Sequence, residues 1–275
     1  MDNSPIIILG SPRSGTTFLG NLLKNHTDLF YAEEYRFTWL YKNEKYADML
    51  RPNHASDCVK KYIRDKFFGL VNSNNKCRLL EKTPSNALRP FFVNEIFPDA
   101  KYLYITRDPR ECILSIKDLW SSTARDLSTV DKSIYLRRFK DMHISQYKYI
   151  LPEIIKRIAP KAFSSSENLW GPRLPGFEKM VRNLGLFEAC CMQWRFCHDE
   201  LENFYKNGPR ERILKIELED LNITVIKDIL EFCNLSQENL IRSFHESYKK
   251  NPSGLRIDCI GDTDAETMQR WIPIS

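Results

Sequence analysis

One short segment near the start of the chain combines a cation, hydroxyl groups and glycines in the pattern of an anion-binding turn. An apolar run at residues 5–9 leads into Gly10, and the following loop supplies Arg13 and four further candidate anion ligands: Ser14, Gly15, Thr16 and Thr17. A strand-to-helix turn points unpaired backbone N–H groups, and the positive end of the helix dipole, at one position. The guanidinium of Arg13 adds donors that match a phosphate or sulfate group. The segment therefore predicts a site for a phosphate-like anion.

The spacing from Gly10 to Gly15 resembles a Walker A loop, but Thr16 stands where the Walker lysine would be. The cation is carried inside the loop, by Arg13. A P-loop kinase or nucleotide hydrolase remains an alternative function, although the missing Gly-Lys-Thr tripeptide disfavours it. A nucleotide-binding protein without catalytic activity is a third possibility.

A second anion-binding element follows a later strand-like run at residues 100–106. Arg107 lies directly after this run, and Ser115 lies eight residues further on. Pro109 cannot continue a strand ladder, so we expect a helix to begin there and to carry Ser115. Together with the first loop, Arg107 and Ser115 predict a site for a ligand with two anionic groups.

Strand patterns at residues 5–9, 76–81, 100–106 and 212–217 alternate with helical patterns. This alternation predicts an α/β three-layer sandwich with a central parallel sheet, similar to the P-loop NTPases, in one domain over residues 1–275. Ligands in such folds bind beyond the carboxyl ends of the strands, where the loops after residues 9, 81 and 106 would meet. Residues 121–184 are polar and irregular, and we interpret them as a helical lid or acceptor-side insertion.

Composition excludes several functional classes. The net charge of the 275 residues is only +5, which is low for a nucleic-acid-binding protein and suits a small anionic ligand. Eight cysteines occur without a CxxC pair or a zinc-finger spacing, which is typical of reduced thiols and gives no metal site. No secretory signal or membrane-spanning window is found. We therefore expect a cytoplasmic protein that does not bind membranes.

The two candidate segments carry a family resemblance. Ser-Pro-Arg-Ser-Gly-Thr-Thr at residues 11–17 and Tyr-Ile-Thr-Arg-Asp-Pro-Arg at residues 104–110 resemble the nucleotide signatures of sulfotransferases that use 3′-phosphoadenosine-5′-phosphosulfate (PAPS). The resemblance implies that the first loop binds the 5′-phosphosulfate and that Arg107 and Ser115 hold the 3′-phosphate, leaving adenosine 3′,5′-bisphosphate (PAP) after transfer. It also implies metal-independent catalysis, in which Arg13 and Lys82 stabilise charge on the oxygen that leaves sulfur.

The general base and the adenine contacts are less closely defined by the resemblance. Many members use a histidine after the second strand, but this chain has none between His54 and His143. Residues 13–36 match the tyrosylprotein sulfotransferase branch without a gap, which assigns the base to Glu34, with Glu81 in reserve. Trp194 is the candidate for stacking on adenine, and Arg256 is a candidate for closing over the nucleotide.

The acceptor is expected to be a small molecule with a hydroxyl group or an amine or carbamoyl nitrogen. The overall layout is similar to that of cyanobacterial sulfotransferases that modify saxitoxin-type alkaloids, which places natural-product biosynthesis among the expected roles. The matching segments are those that bind the cofactor, so the oligomeric state and the acceptor stay open.

Overall fold

The computed structural model describes residues 2–125, 141–149, 171–236 and 262–272. Among the predicted site residues, Arg256 lies outside these ranges. Residues 121–184, the predicted insertion, are described only in part. The insertion and the single-domain organisation therefore stay predictions.

A parallel sheet forms the centre of the described structure. Its strands lie in the order β2-β3-β1-β4-β5, and every pairing between neighbours is parallel. Their bounds are β1 Ile6–Leu9, β2 Leu29–Glu33, β3 Arg78–Lys82, β4 Lys101–Thr106 and β5 Ile213–Glu217. The parallel sheet predicted from the alternating pattern is confirmed.

Helices follow each strand because parallel strands need long crossovers. In the described part of the chain they are α1 Thr16–Leu23, α2 Arg36–Trp39, α3 Asp57–Ser73, α4 Pro90–Ile96, α5 Pro109–Arg125, α6 Phe177–Leu184, α7 Leu186–Asn207, α8 Ile223–Phe232 and α9 Asp262–Trp271. Short 3₁₀ helices occur between them, including Pro84–Leu88 after β3. None of these described helices is long and apolar enough to cross a membrane.

The sheet is covered on both faces because side chains alternate along each strand. On β1, Ile6 and Ile8 belong to the core that includes buried residues of α1 and α8, whereas Ile7 and Leu9 belong to the core that includes α3, α4, α5 and α7. All four β1 side chains are buried, which explains the continuous apolar run in the sequence. The three-layer sandwich is confirmed.

Strand order fixes where a ligand can bind. The connection after β1 leads to β2 on one side of the sheet, whereas the connection after β3 leads to β4 on the other side of β1. Because neighbouring strands β1 and β3 send their connections in opposite directions, a crevice opens at their carboxyl ends. The loops beginning at Gly10 and Thr83 flank this crevice, and the loop at Arg107 follows the next strand, β4.

Candidate functional site

The loop between β1 and α1 is a strained turn shaped around its glycines. Its Ser14 N–H donates to the Ser11 carbonyl at 3.1 Å, while Arg13 and Gly15 have φ angles of 70° and 100°. A Cβ at Gly10 would lie 2.3 Å from Ser14 Oγ and 2.7 Å from the Ile105 carbonyl oxygen. Gly10 is therefore required by close packing, and Gly15 by its left-handed backbone.

The same turn presents unsatisfied hydrogen-bonding groups. No side chain caps α1, and its first turn contains no acidic residue, so the leading N–H groups and the helix dipole face the loop. Ser14 Oγ is buried and has no hydrogen-bond partner among the described residues. Thr16 is buried beside it, and Thr17 is exposed. A cradle of this kind fits a phosphate-like group, as the sequence predicted.

Arg13, Arg107 and Ser115 come together from three separate segments. Arg13 Nε donates to Ser115 Oγ at 2.8 Å, and Arg107 donates to the Arg13 carbonyl at 3.3 Å. Burial lowers the pKa of Arg13, and the nearby positive charge of Arg107 lowers it further. Two cations therefore face one region beside the α1 N-terminus, and an anion bound there would relieve their repulsion.

Glu111 is a further residue of this cluster that the sequence analysis missed. Its carboxylate accepts from Arg107 at 2.8 Å and is largely buried. Arg107 and Glu111 are four residues apart around the start of α5, and this spacing was a signal for the pair. Glu111 orients the Arg107 guanidinium, whose own side chain is 18% exposed and so remains reachable.

Lys82 and Glu34 form an ion pair at the carboxyl ends of β3 and β2. Lys82 Nζ lies 3.3 Å from Glu34 Oε1 and 3.2 Å from Glu33 Oε1. Glu34 adopts a φ of 61°, and its N–H donates to the Lys82 carbonyl at 2.8 Å. The lysine side chain is only 1% exposed, against 29% for Glu34. The carboxylate is thus the member of the pair that an incoming molecule can reach.

Glu81, the reserve candidate for the base, lies on the opposite side of β3 from Lys82. Its carboxylate is fully buried and accepts hydrogen bonds from Trp39, Thr83 and Asn86. Burial raises the pKa of Glu81 to about 7, against these hydrogen bonds, which lower it. A carboxylate enclosed in the core in this way cannot meet an acceptor, so we do not retain it as a candidate base.

Trp194, the candidate for stacking on adenine, also has a different role. It lies in the core on α7, is 3% exposed, and stacks on the His198 ring with centroids 4.8 Å apart. Its helical spacing with Cys190, Cys197 and Leu201, all buried, gave the signal for core packing. We therefore leave Trp194 out of the nucleotide site.

Comparisons with known proteins show the family of this chain. The profile model of the Sulfotransferase family matches residues 5–159. The chain is 30% identical over 125 residues to protein-tyrosine sulfotransferase A of Caenorhabditis elegans, covering 41% of this chain and 33% of the relative. It is 27% identical over 124 residues to the Drosophila melanogaster protein-tyrosine sulfotransferase, covering 41% and 25%. The chain thus spans between a quarter and a third of the length of these relatives.

Solved structures share the fold. The sulfotransferase domain from the Synechococcus PCC 7002 olefin synthase aligns with a TM-score of 0.50 at 16% identity, covering 100% of this chain and 90% of that one. Sulfotransferase STF9 from Mycobacterium avium aligns with a TM-score of 0.50 at 14% identity, covering 98% and 76%. The matched residues include the loop after β1, Glu34, Lys82 and Arg107. Since the family model spans more than half of the sequence, this chain belongs to the sulfotransferase family.

Proposed function

We propose that this chain transfers a sulfuryl group from PAPS to a hydroxyl group or to an amine or carbamoyl nitrogen of a small molecule, releasing PAP. The observation that carries the proposal is the convergence of two cation-bearing loops at the α1 N-terminus, with Arg13 Nε 2.8 Å from Ser115 Oγ. A donor with anionic groups at both its 5′ and 3′ positions suits such a site. Membership of the sulfotransferase family supports this donor.

The residues divide between the two ends of the donor. The turn from Arg13 to Thr17 would hold the 5′-phosphosulfate through its backbone N–H groups, the Ser14 hydroxyl and the helix dipole. Arg107 and Ser115 would hold the 3′-phosphate. The hydrogen bond between Arg13 and Ser115 links the two subsites in the structure, so donor binding would replace it with bonds to the ligand.

PAPS supplies sulfate activated as a mixed anhydride with phosphate. Arg13 stabilises the negative charge that develops on the phosphate oxygen as its bond to sulfur breaks. Lys82 is held by Glu33 and Glu34 and is only 1% exposed, so its positive charge would act at this edge of the sheet through its electric field and not through contact with the donor. Glu34 takes the proton that the acceptor hydroxyl or amine loses as its oxygen or nitrogen bonds to sulfur.

Calorimetry and a transfer assay test the proposal separately. In calorimetry, we expect PAP to bind more tightly than ATP with Mg²⁺. In the transfer assay, we expect the label of ³⁵S-PAPS to reach at least one acceptor in a panel of phenols, amines, tyrosyl peptides and guanidinium alkaloids of the saxitoxin type. Tighter binding of ATP with Mg²⁺ would instead support a P-loop kinase or hydrolase. PAP binding without transfer to any acceptor would support a silent nucleotide-binding protein.

Two observations point to different classes of acceptor. Two relatives are named for protein tyrosine, and the layout predicted from the sequence favours a natural-product alkaloid. The acceptor panel therefore contains both classes. The absence of nucleic-acid and membrane partners, and a cytoplasmic location, stay predictions.

A further inference from the structure

A ring of buried polar side chains, closed through the backbone of α2, lies next to the segments that carry Glu34 and Lys82. Most of its members are excluded from solvent, with exposed fractions of 1% or less: Trp39, Asp48, Glu81, Asn86 and Arg89. Arg36, which is 17% exposed, completes it.

One side of the ring follows the segment after β3. Asn86 Nδ2 donates to Glu81 Oε2 at 3.0 Å, and Arg89 Nε donates to Asn86 Oδ1 at 2.8 Å. Arg89 also donates to Ser85 Oγ at 2.9 Å, and its NH1 lies 3.5 Å from Asp48 Oδ1. A continuous path of buried hydrogen bonds thus runs from β3 to Asp48.

The other side of the ring returns to α2. Arg36 Nε donates to both Asp48 oxygens, at 2.8 and 3.1 Å, and Trp39 Nε1 donates to Glu81 Oε1 at 2.9 Å. Burial acts to raise the pKa of Asp48, but Arg36 and Arg89 together hold it below its ordinary value. The ring therefore contains an ionised carboxylate. It attaches one end of the four-residue helix α2 to β3 through Glu81, and the other end to Arg89, after β3, by way of Asp48.

The two proposed catalytic groups lie at the points where this ring meets the backbone. Glu34 is two residues before Arg36, and Lys82 lies between Glu81 and Thr83, whose hydroxyl donates to Glu81. Buried polar groups cost free energy unless they are hydrogen-bonded, and a satisfied network restricts its members to one arrangement. The ring is therefore placed to fix one catalytic segment relative to the other.

We propose that this ring is a positioning device, in which Glu81 and Asn86 hold Glu34 and Lys82 at the separation that transfer requires. The inference rests on the proposed function of that pair. Neither Glu81 nor Asn86 touches the substrate, because both side chains are fully buried. They act through the backbone segments that carry Lys82 and, by way of Trp39 and Arg36, Glu34.

Two variants open the ring, and one leaves it intact. Glu81→Gln keeps the side-chain volume but replaces an acceptor oxygen with an NH₂ group, so one of three donors loses its partner. Asn86→Ala removes the link between Glu81 and Arg89, and serves if Glu81→Gln does not fold. The control is Asp141→Asn: Asp141 is equally buried and accepts from the Phe37 and Thr38 N–H groups of α2, but it is outside the ring.

We expect kcat to fall about 100-fold in both ring variants, because small displacements of reacting groups are costly. The Kd for PAP should stay within about twofold of wild type, since the anion cradle is built from other segments. Asp141→Asn should lower the melting temperature and leave kcat unchanged. An equal loss of kcat in Asp141→Asn would reduce the ring to a general contribution to folding and overturn the proposal.

Crystal structures of the ring variants give a readout that does not depend on turnover. We expect the Lys82 Nζ to Glu34 Oε1 separation, 3.3 Å here, to lengthen in both. An unchanged separation, or an unchanged kcat despite a displaced pair, would overturn the positioning role. If the wild-type chain transferred no sulfuryl group while the variants displaced the pair, the proposed function would fail and the structural role of the ring would stand.

Discussion

Replacing Arg107 by alanine should weaken PAP binding through the 3′-phosphate alone. In the structure the Arg107 guanidinium is held between the Arg13 carbonyl at 3.3 Å and the Glu111 carboxylate at 2.8 Å, with its side chain 18% exposed. It is therefore preorganised and still reachable. Adenosine 5′-monophosphate has no 3′-phosphate, so it provides the matched ligand for measuring this contact.

The magnitude follows from the hydrogen bonds that the guanidinium can make. A hydrogen bond to a charged group contributes about 1.5–3 kcal/mol, so loss of one or two such bonds predicts about 3 kcal/mol. This corresponds to roughly a 100-fold rise in the Kd for PAP. Calorimetry should show this rise for PAP and a change of less than about threefold for adenosine 5′-monophosphate.

Two further variants separate the causes. Arg110→Ala removes a neighbouring arginine that is 48% exposed and paired with Asp108 at 2.6 Å, and it should leave the Kd for PAP unchanged. Arg107→Ala combined with Glu111→Gln also removes the carboxylate charge, and should recover the part of the loss that comes from repulsion. An equal loss of affinity for both nucleotides in Arg107→Ala, or the same loss in Arg110→Ala, would refute the assignment.

Three other outcomes are expected. Glu34→Gln should lower kcat by roughly 10²–10⁴-fold at neutral pH without changing the Kd for PAP. The control variant Glu33→Gln should keep most of the activity. Full activity in Glu34→Gln would exclude Glu34 as the base. Gly10→Ala should abolish PAP binding in calorimetry, because its Cβ would lie 2.3 Å from Ser14 Oγ; retained binding would show that the turn can widen. The pKa of Glu81 is raised from 4.5 to about 7, so between these pH values the folded state keeps a proton that the unfolded state loses. The free energy of unfolding should therefore fall by about 3 kcal/mol as the pH rises from 4.5 to 7. Urea denaturation at a series of pH values gives the free energy of unfolding at each pH. This free energy should fall less steeply with pH in Glu81→Gln than in the wild type. An identical pH dependence would assign the titration to another group.

Strands β1 and β4 could be predicted from the sequence because each is a mostly buried apolar run. Predicted runs at residues 5–9 and 100–106 correspond to Ile6–Leu9 and Lys101–Thr106. The turn after β1 also has a local signature, because the left-handed backbone at residue 15 favours glycine. Gly10 is recorded in the same motif, although part of its requirement comes from the Ile105 carbonyl on a neighbouring strand.

Two of the predicted roles lose support because of burial. Trp194 and Glu81 have the chemistry for stacking and for proton transfer, but both side chains are enclosed in the core. Residues 80–82 show why this is hard to foresee: neighbouring side chains on a strand face opposite ways, so the buried Glu81 precedes the ion-paired Lys82. The sequence marked both as candidates and could not say which one faced the site.

By itself, the sequence identified two candidate anion-binding segments, because the loop after β1 and the Arg107 segment are local motifs with fixed spacing. Only the tertiary structure decided how the site is assembled. Arg13 meets Ser115 across 102 residues, and Glu34 meets Lys82 across 48. Strand order brings them together, since β4 lies beside β1, β2 lies beside β3, and the carboxyl ends of parallel strands share one edge. Contacts of this kind have no local signature, because they follow from how the strands pair and not from their residues alone.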